Sequence, residues 1–161
     1  ESGTKDVIFE INNALYESTE LEKFVTMFYG ILNTKTGDFI YTNAGHNHPF
    51  VYRAGNEKPQ ALEIGGTVLG MLKDIAYSES KVGLTNGDIV VLYSDGVTEA
   101  RNDDGELFGE ERLHQIVYEY MKSTGSPSAK SLLNRIYNAV RKFSANMPLT
   151  DDLTMVIICK P

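Results

Sequence analysis

Three stretches of this chain are apolar at almost every position: Phe24 to Leu32, Ile89 to Tyr93 and Met155 to Cys159. β-Branched and aromatic residues are frequent in them, so each reads as a strand. Side chains of a strand alternate between two faces, and a strand with one wet face would alternate apolar and polar residues. These three do not, so each is expected to be covered on both faces. A single sheet with helices on one side would leave such strands wet. A sheet packed on a second sheet, with helices outside, satisfies them.

Helical periodicity appears three times. Ile8, Ile11 and Leu15 step at helical spacing within Lys5 to Tyr16, flanked by Val7 and Ala14, with Thr4 as the expected N-cap. Leu113, Ile116, Val117, Tyr120 and Met121 form one apolar stripe, and Leu132, Leu133, Ile136, Tyr137 and Val140 another. Ser126-Pro127 should open the last of these helices as N-cap and first turn, and Pro148 should end the connection that follows it. Asn33 to Asp38 and Asn86-Gly87-Asp88 read as turns. Phe39 to Thr42, Phe50 to Arg53 and, more weakly, Tyr77 to Val82 read as further strands. Strands that follow one another without crossover helices pair mostly antiparallel, which predicts the α+β class. The 161 residues suit one domain, without repeats or a long linker.

Charge narrows the function classes. Lys and Arg number 15 against 22 Asp and Glu, a net charge of −7. That argues against a sequence-independent grip on nucleic acid or on an anionic membrane. No apolar run approaches the roughly 18 residues of a membrane-spanning helix, and Glu1 to Lys5 lacks the pattern of a secretory signal. The single Cys159 excludes an internal disulfide and a cysteine zinc site, and favours a reducing, cytoplasmic setting. Its apolar neighbours predict a packing role.

Carboxylates stand at two strand ends. Asp95 lies just past Ile89 to Tyr93, within Ser94-Asp95-Gly96; Asp151 and Asp152 lie just before Leu153 to Cys159. If these strands pair antiparallel, Asp95 meets the Asp151-Asp152 pair at one edge of the sheet. Neighbouring residues of an extended chain point oppositely, so one of the pair should face Asp95. Clustered carboxylates repel unless a cation sits between them, and Mg²⁺ or Mn²⁺ suits oxygen ligands. Turn formation and Asx capping also explain acidic residues at strand ends, and spacing alone favours that plainer reading. His46 and His48 lack an obvious third ligand, so turn and packing roles are expected for them. Asn102 to Glu106 lacks the ligand spacing and distal Glu of a calcium loop and reads as a turn.

Five motifs occur in order: Phe24-Val25-Thr26-Met27-Phe28-Tyr29-Gly30, Asn43-Ala44-Gly45-His46-Asn47, Tyr93-Ser94-Asp95-Gly96-Val97-Thr98-Glu99-Ala100, Gly105-Glu106-Leu107-Phe108-Gly109 and Thr150-Asp151-Asp152-Leu153-Thr154. Together they resemble the PPM-type (protein phosphatase 2C-like) serine/threonine phosphatases of the SpoIIE/RsbU branch. The resemblance implies an α-β-β-α sandwich of mostly antiparallel sheets and a two-metal Mn²⁺ or Mg²⁺ centre. It implies hydrolysis of phosphoserine or phosphothreonine by metal-activated water, without a phosphoenzyme. Asp95 and Asp151 match metal-binding positions, Asp152 a supporting position, and Gly96 the glycine that lets the backbone approach the metals. The implied partner is a phosphorylated regulatory protein, such as an anti-sigma-factor antagonist.

Two departures from the family pattern matter. Val68 replaces a usual proline in Gly66-Thr67-Val68-Leu69-Gly70, a small change in a loop. The family's upstream Gly-Asp and Asp-x-Ser-Gly-x-Gly elements, which supply the aspartate bridging both metals, have no counterpart in Glu1 to Leu21. Residues 1–161 are therefore expected to form the C-terminal two-thirds of one phosphatase domain, without its N-terminal strands. Such a segment would be inactive alone and prone to self-association through open sheet edges. A non-catalytic, phosphatase-like binding module is the alternative from another class; a hydrolase of small phosphoesters also remains open.

Overall fold

A computed structural model of the protein describes residues 3–18, 23–145, 147–148 and 151–161. In chain order the elements are α1 (Thr4–Ser18), β1 (Met27–Leu32), β2 (Asp38–Ala44), β3 (Phe50–Tyr52), β4 (Gln60–Ala61), β5 (Gly65–Gly66), β6 (Ser80–Gly83), β7 (Ile89–Tyr93), α2 (Asp95–Thr98), α3 (Gly109–Ser123), α4 (Ala129–Ser144) and β8 (Met155–Cys159). They form two compact units, Glu1–His48 with Leu62–Leu84, and Pro49–Ala61 with Thr85–Pro161. Among the described residues each unit holds one four-stranded sheet, the first with helix α1 and the second with α2, α3 and α4. Among the described residues every pairing between named strands is antiparallel except β2 with β5. The class is α+β, as the strand succession predicts.

In the first unit β2 is central. It pairs with β1 from Met27↔Ala44 to Leu32↔Phe39 and with β6 from Asp38↔Gly83 to Tyr41↔Ser80. The turn before β2 is built by Asn33, whose Oδ1 accepts the N–H groups of Lys35 and Thr36 at 3.0 and 3.2 Å. Helix α1 buries Thr4, Ile8 and Asn12, which lie on one face at fourfold spacing. Ile8 joins Ala44, Leu69 and Tyr77 in the core, with Ile11 and Leu15 packed beside them. Asn12 is fully buried and satisfied. Its Oδ1 accepts from Gly70 N–H (3.0 Å) and Tyr77 O–H (3.3 Å), and its Nδ2 donates to the Leu72 carbonyl (2.9 Å).

Three expectations change in this unit. Thr4 is not a cap: it is the first helical residue, with its hydroxyl 3.0 Å from Thr42 Oγ1 and donating to Glu79 Oε2 at 3.1 Å. A tertiary partner outcompetes the local amides. Strand β1 is shorter than Phe24 to Leu32 and is not covered on both faces. It ends its sheet, and Phe24 and Ile31 are 58% and 47% exposed. An apolar run records strand preference, whereas cover depends on position in the sheet. The strand expected from Tyr77 begins at Ser80, because Tyr77 turns into the core.

The second unit has the order β4-β3-β7-β8. Strand β7 is interior, and Ile89, Val90 and Val91 are fully buried, so both its faces are covered as its composition demands. Strand β8 stands at the sheet edge. Met155, Ile157 and Cys159 pack on the core while Val156 is 51% exposed, so the expected two-sided cover does not hold there. Cys159 is half-buried, and burial pushes its thiol pKa up, in keeping with packing.

The two helical stripes bury Leu113, Val117 and Tyr120 on α3, and Leu132, Ile136 and Val140 on α4. They share one core with Phe50, Tyr52, Ile89, Val91 and Tyr93. Each fully buried aliphatic side chain contributes about 1.5–3 kcal/mol, so these stripes hold the helices on the sheet. The cap of α4 is Ser128, two residues beyond the expected Ser126; its Oγ accepts from Ser131 N–H at 3.4 Å. Ser128 itself is fixed by Tyr120, whose hydroxyl accepts the Ser128 N–H at 2.9 Å. At the start of β7, buried Asp88 gathers the turn. Its Oδ2 accepts from Thr85 N–H (2.9 Å) and Thr85 Oγ1 (3.1 Å) and pairs with Arg53 Nη1 (3.2 Å). No described helix is long and apolar enough to cross a membrane.

Candidate metal centre

The pairing of β7 with β8 sets the geometry. Their register runs from Ile89↔Cys159 to Tyr93↔Met155, so the residues after Tyr93 lie beside those before Met155. The ladder continues one step further, with Ser94 N–H donating to the Thr154 carbonyl at 3.0 Å. The chain then leaves the sheet into the single turn α2. Ser94 is extended (φ −89°, ψ 166°), and its carbonyl accepts from Val97 N–H at 3.1 Å. Asp95 is thus the first residue of that turn, exposed, with Oδ1 accepting the Gly96 N–H at 2.9 Å.

The facing segment carries Asp151 and Asp152, both exposed. Asp151 Oδ1 accepts the Asp152 N–H at 2.7 Å, so the two aspartates are arranged alike, each over the amide that follows it. The segments touch at Gly96, which is buried. A Cβ there would lie 2.4 Å from the Asp152 carbonyl oxygen and 3.4 Å from the Asp151 carbonyl carbon. Only glycine permits that approach. The backbones of the Asp95 turn and the Asp151-Asp152 segment therefore adjoin at one end of the sheet, as antiparallel pairing of the two strands requires. Thr150, the first residue of the last motif, lies outside the described residues.

The donors suit a hard divalent cation: carboxylate oxygens, exposed, on two adjoining segments. Among the described residues no group of three or more His, Cys, Asp or Glu is placed to hold a metal ion. Asp95 and Asp151 are, by chemistry and exposure, residues that could serve as two ligands of such an ion.

The remaining motifs have structural roles. Asn43 builds the Gly45 loop: its Oδ1 accepts the His46 N–H at 2.8 Å, and its Nδ2 donates to the carbonyls of His46 (3.0 Å) and Leu62 (3.3 Å). Gly45 takes φ +71°, and a side chain there would strike Val68. His46 Nδ1 lies 3.3 Å from Thr26 Oγ1, and His48 is exposed. The Asn102 turn is closed by its own Oδ1, which accepts from Asp104 N–H and Glu106 N–H at 3.1 and 2.8 Å.

Sequence reasoning missed two features, the first of them at the core of the second unit. Tyr93 donates its hydroxyl hydrogen to Glu110 Oε1 at 2.9 Å; burial first, and Glu110 second, push the phenol pKa far up. His114 packs edge-on against Phe50, with ring centroids 4.5 Å apart, and burial pushes its pKa down against the opposing pull of Glu110. The other is Ser94, whose hydroxyl donates to the Asp152 carbonyl and accepts from Thr154 N–H, each at 3.1 Å. A serine between an apolar strand and an Asp-Gly pair was the available signal.

Solved structures share this fold. The PP2C domain of SiaA from Pseudomonas aeruginosa aligns with a TM-score of 0.79 at 15% identity, over 99% of this chain and 61% of that one. The manganese-presoaked phosphatase domain of SpoIIE from Bacillus subtilis aligns with a TM-score of 0.62 at 17% identity, over 95% and 63%. The architecture is therefore that of a PP2C-type phosphatase domain. The family model of Stage II sporulation protein E (SpoIIE) matches residues 1–161, and the chain belongs to that family. It is 33% identical over 152 residues to the phosphoserine phosphatase RsbU of Bacillus subtilis (strain 168), covering 94% of this chain and 44% of that protein. The chain thus spans less than half the length of that relative.

Proposed function

We propose that residues 1–161 carry the C-terminal two-thirds of a metal-dependent protein serine/threonine phosphatase domain. The observation that carries this reading is the meeting of the Asp95 turn and the Asp151-Asp152 segment at Gly96, within a chain of the SpoIIE family. The share of the solved domains that the chain covers, 61% and 63%, supports the extent of the segment. In this reading Asp95 and Asp151 hold the cation, Asp152 supports the turn through its backbone, and Gly96 keeps the two segments in contact. When bound, Mn²⁺ or Mg²⁺ activates a water for in-line attack on phosphorus and neutralises charge on the phosphoryl oxygens. The manganese presoak of the SpoIIE phosphatase domain is in keeping with that choice of ion.

The substrate in this reading is a phosphorylated regulatory protein, an anti-sigma-factor antagonist or similar switch, acted on in the cytoplasm. The phosphoserine phosphatase relative supports the phosphoserine chemistry. Self-association is part of the proposal: among the described residues β1 and β8 end their sheets, and such edges are templates for pairing. Light scattering of the 161-residue chain across a dilution series checks that part; a monomeric mass at every concentration counts against it.

The deciding experiment assays the full-length protein on a phosphoserine peptide with Mn²⁺. Turnover that needs the metal and disappears in Asp95→Asn is the expected result. A protein that binds phosphorylated partners without any turnover would be the non-catalytic module instead.

A further inference from the structure

The end of the β7–β8 ladder contains an exchange of one acceptor for another. In an antiparallel hydrogen-bonded pair, each residue donates its N–H to the other's carbonyl. Ser94 and Thr154 make half of that exchange, Ser94 N–H to the Thr154 carbonyl at 3.0 Å. The Ser94 carbonyl instead accepts from Val97, because the chain is already turning into α2. The Thr154 N–H goes to Ser94 Oγ at 3.1 Å, and that hydroxyl passes its own hydrogen to the Asp152 carbonyl, also at 3.1 Å. One side chain thus lets the backbone of Asp95 leave the sheet while the segment bearing Asp151 stays tied to it.

Two contacts therefore flank Asp95 in sequence, both to the same segment. Ser94 grips Asp152 and Thr154 by hydrogen bonds, and Gly96 abuts the Asp152 carbonyl with no room for a Cβ. Asp95 and Asp151 can present oxygens to one centre only while this spacing is kept. We infer that Ser94 is a positioning residue, which sets the separation of the Asp95 turn from the Asp151 segment and thereby the affinity for a divalent cation. The inference rests on the metal reading above. It assigns no contact between Ser94 and the ion.

The test compares Ser94→Ala, Ser94→Thr and Asp95→Asn in the full-length protein. Binding of Mn²⁺ is followed by the electron paramagnetic resonance signal of the free ion, and exchange of the Thr154 amide is measured without metal. Outer-shell partners of ligands typically change metal affinity 10–100-fold, so Ser94→Ala should weaken Mn²⁺ binding about tenfold and speed exchange at Thr154. Ser94→Thr keeps an Oγ on a backbone that is already extended, and should restore both. If Ser94→Ala speeds exchange but leaves Mn²⁺ affinity unchanged, the hydroxyl is merely structural and the inference is overturned. If Asp95→Asn also leaves Mn²⁺ affinity unchanged, the metal reading itself fails, and the inference with it. Protection of the Val91 amide at the centre of β7 reports that each variant remains folded.

Discussion

Strand β7 is bracketed by two aspartates that have opposite fates. Asp88, just before it, is 1% exposed, accepts from Thr85 and Ala54 and pairs with Arg53. Asp95, just after it, is exposed and accepts the amide of its own neighbour. The residue type is the same, and so is the position beside an apolar strand. At the first end the oxygens are consumed by the turn, which secures the entry of β7 into the sheet. At the second end the backbone of the segment bearing exposed Asp151 and Asp152 adjoins the turn, and in the function proposed above Asp95 and Asp151 serve a cation. Saturation by donors marks an aspartate that serves the fold; availability beside another acidic segment marks one that can serve chemistry.

The comparison breaks most sharply by substitution at its two ends. Asp95→Asn should abolish Mn²⁺-dependent turnover of the full-length protein while leaving its urea stability within about 0.5 kcal/mol of the parent. Asp88→Ala should do the reverse at first hand, lowering stability by about 2–3 kcal/mol, since charged hydrogen bonds to a buried carboxylate are lost. Urea midpoints and turnover measured on both variants check the pair; a stability loss in Asp95→Asn as large as that in Asp88→Ala would end the distinction.

A smaller effect sharpens the picture of the contact. Gly96→Ala places a Cβ 2.4 Å from a backbone oxygen, so the segments must separate. Overpacking of this kind costs about 1–3 kcal/mol, and Mn²⁺ affinity should fall with it. Isothermal titration with Mn²⁺ beside a urea curve separates the two consequences.

The smallest effect concerns pH. Burial lowers the pKa of His114 in the fold, so the unfolded chain takes up its proton first as pH falls. The contribution of neutral His114 is complete above its unfolded pKa of about 6.5 and is lost as pH drops through the folded value. Stability should therefore decline below about pH 6.5, by at most about 1.4 kcal/mol per pH unit for one proton. Urea midpoints across that range, flatter in His114→Gln than in the parent, check the assignment.

Much of this was legible in the residues. Helical stripes on α3 and α4, the interior character of β7 and the turn at Asp88 follow from periodicity, β-branching and turn chemistry, which act over a few neighbours. The meeting of the Asp95 turn and the Asp151 segment was expected on the condition that the two strands pair antiparallel, and the register of β7 with β8 meets that condition. Elsewhere the residues misled. Thr4 and Ser126 look like caps, but the first is taken by Thr42 and Glu79 and the second yields to Ser128, held by Tyr120. Apolar β1 and β8 read as fully covered strands, and both stand at sheet ends.

By itself, then, the sequence determined the three long helices and the principal strands, though not β4, β5 or the single turn α2, and it determined which family motifs are present and which carboxylates to watch. Those properties belong to local stretches of chain and to residue identity. Tertiary structure alone decided which of two similar aspartates is saturated, which apolar strands lie at an edge, and that a serine hydroxyl replaces a diverted carbonyl between the acidic segments. The Ser94 bond depends on a partner 58 residues away, Asp152, and Asp88 draws on Arg53, 35 residues away, as well as on nearby Thr85. No local pattern encodes such a distance, because the hydrogen bond exists only after the intervening chain has folded.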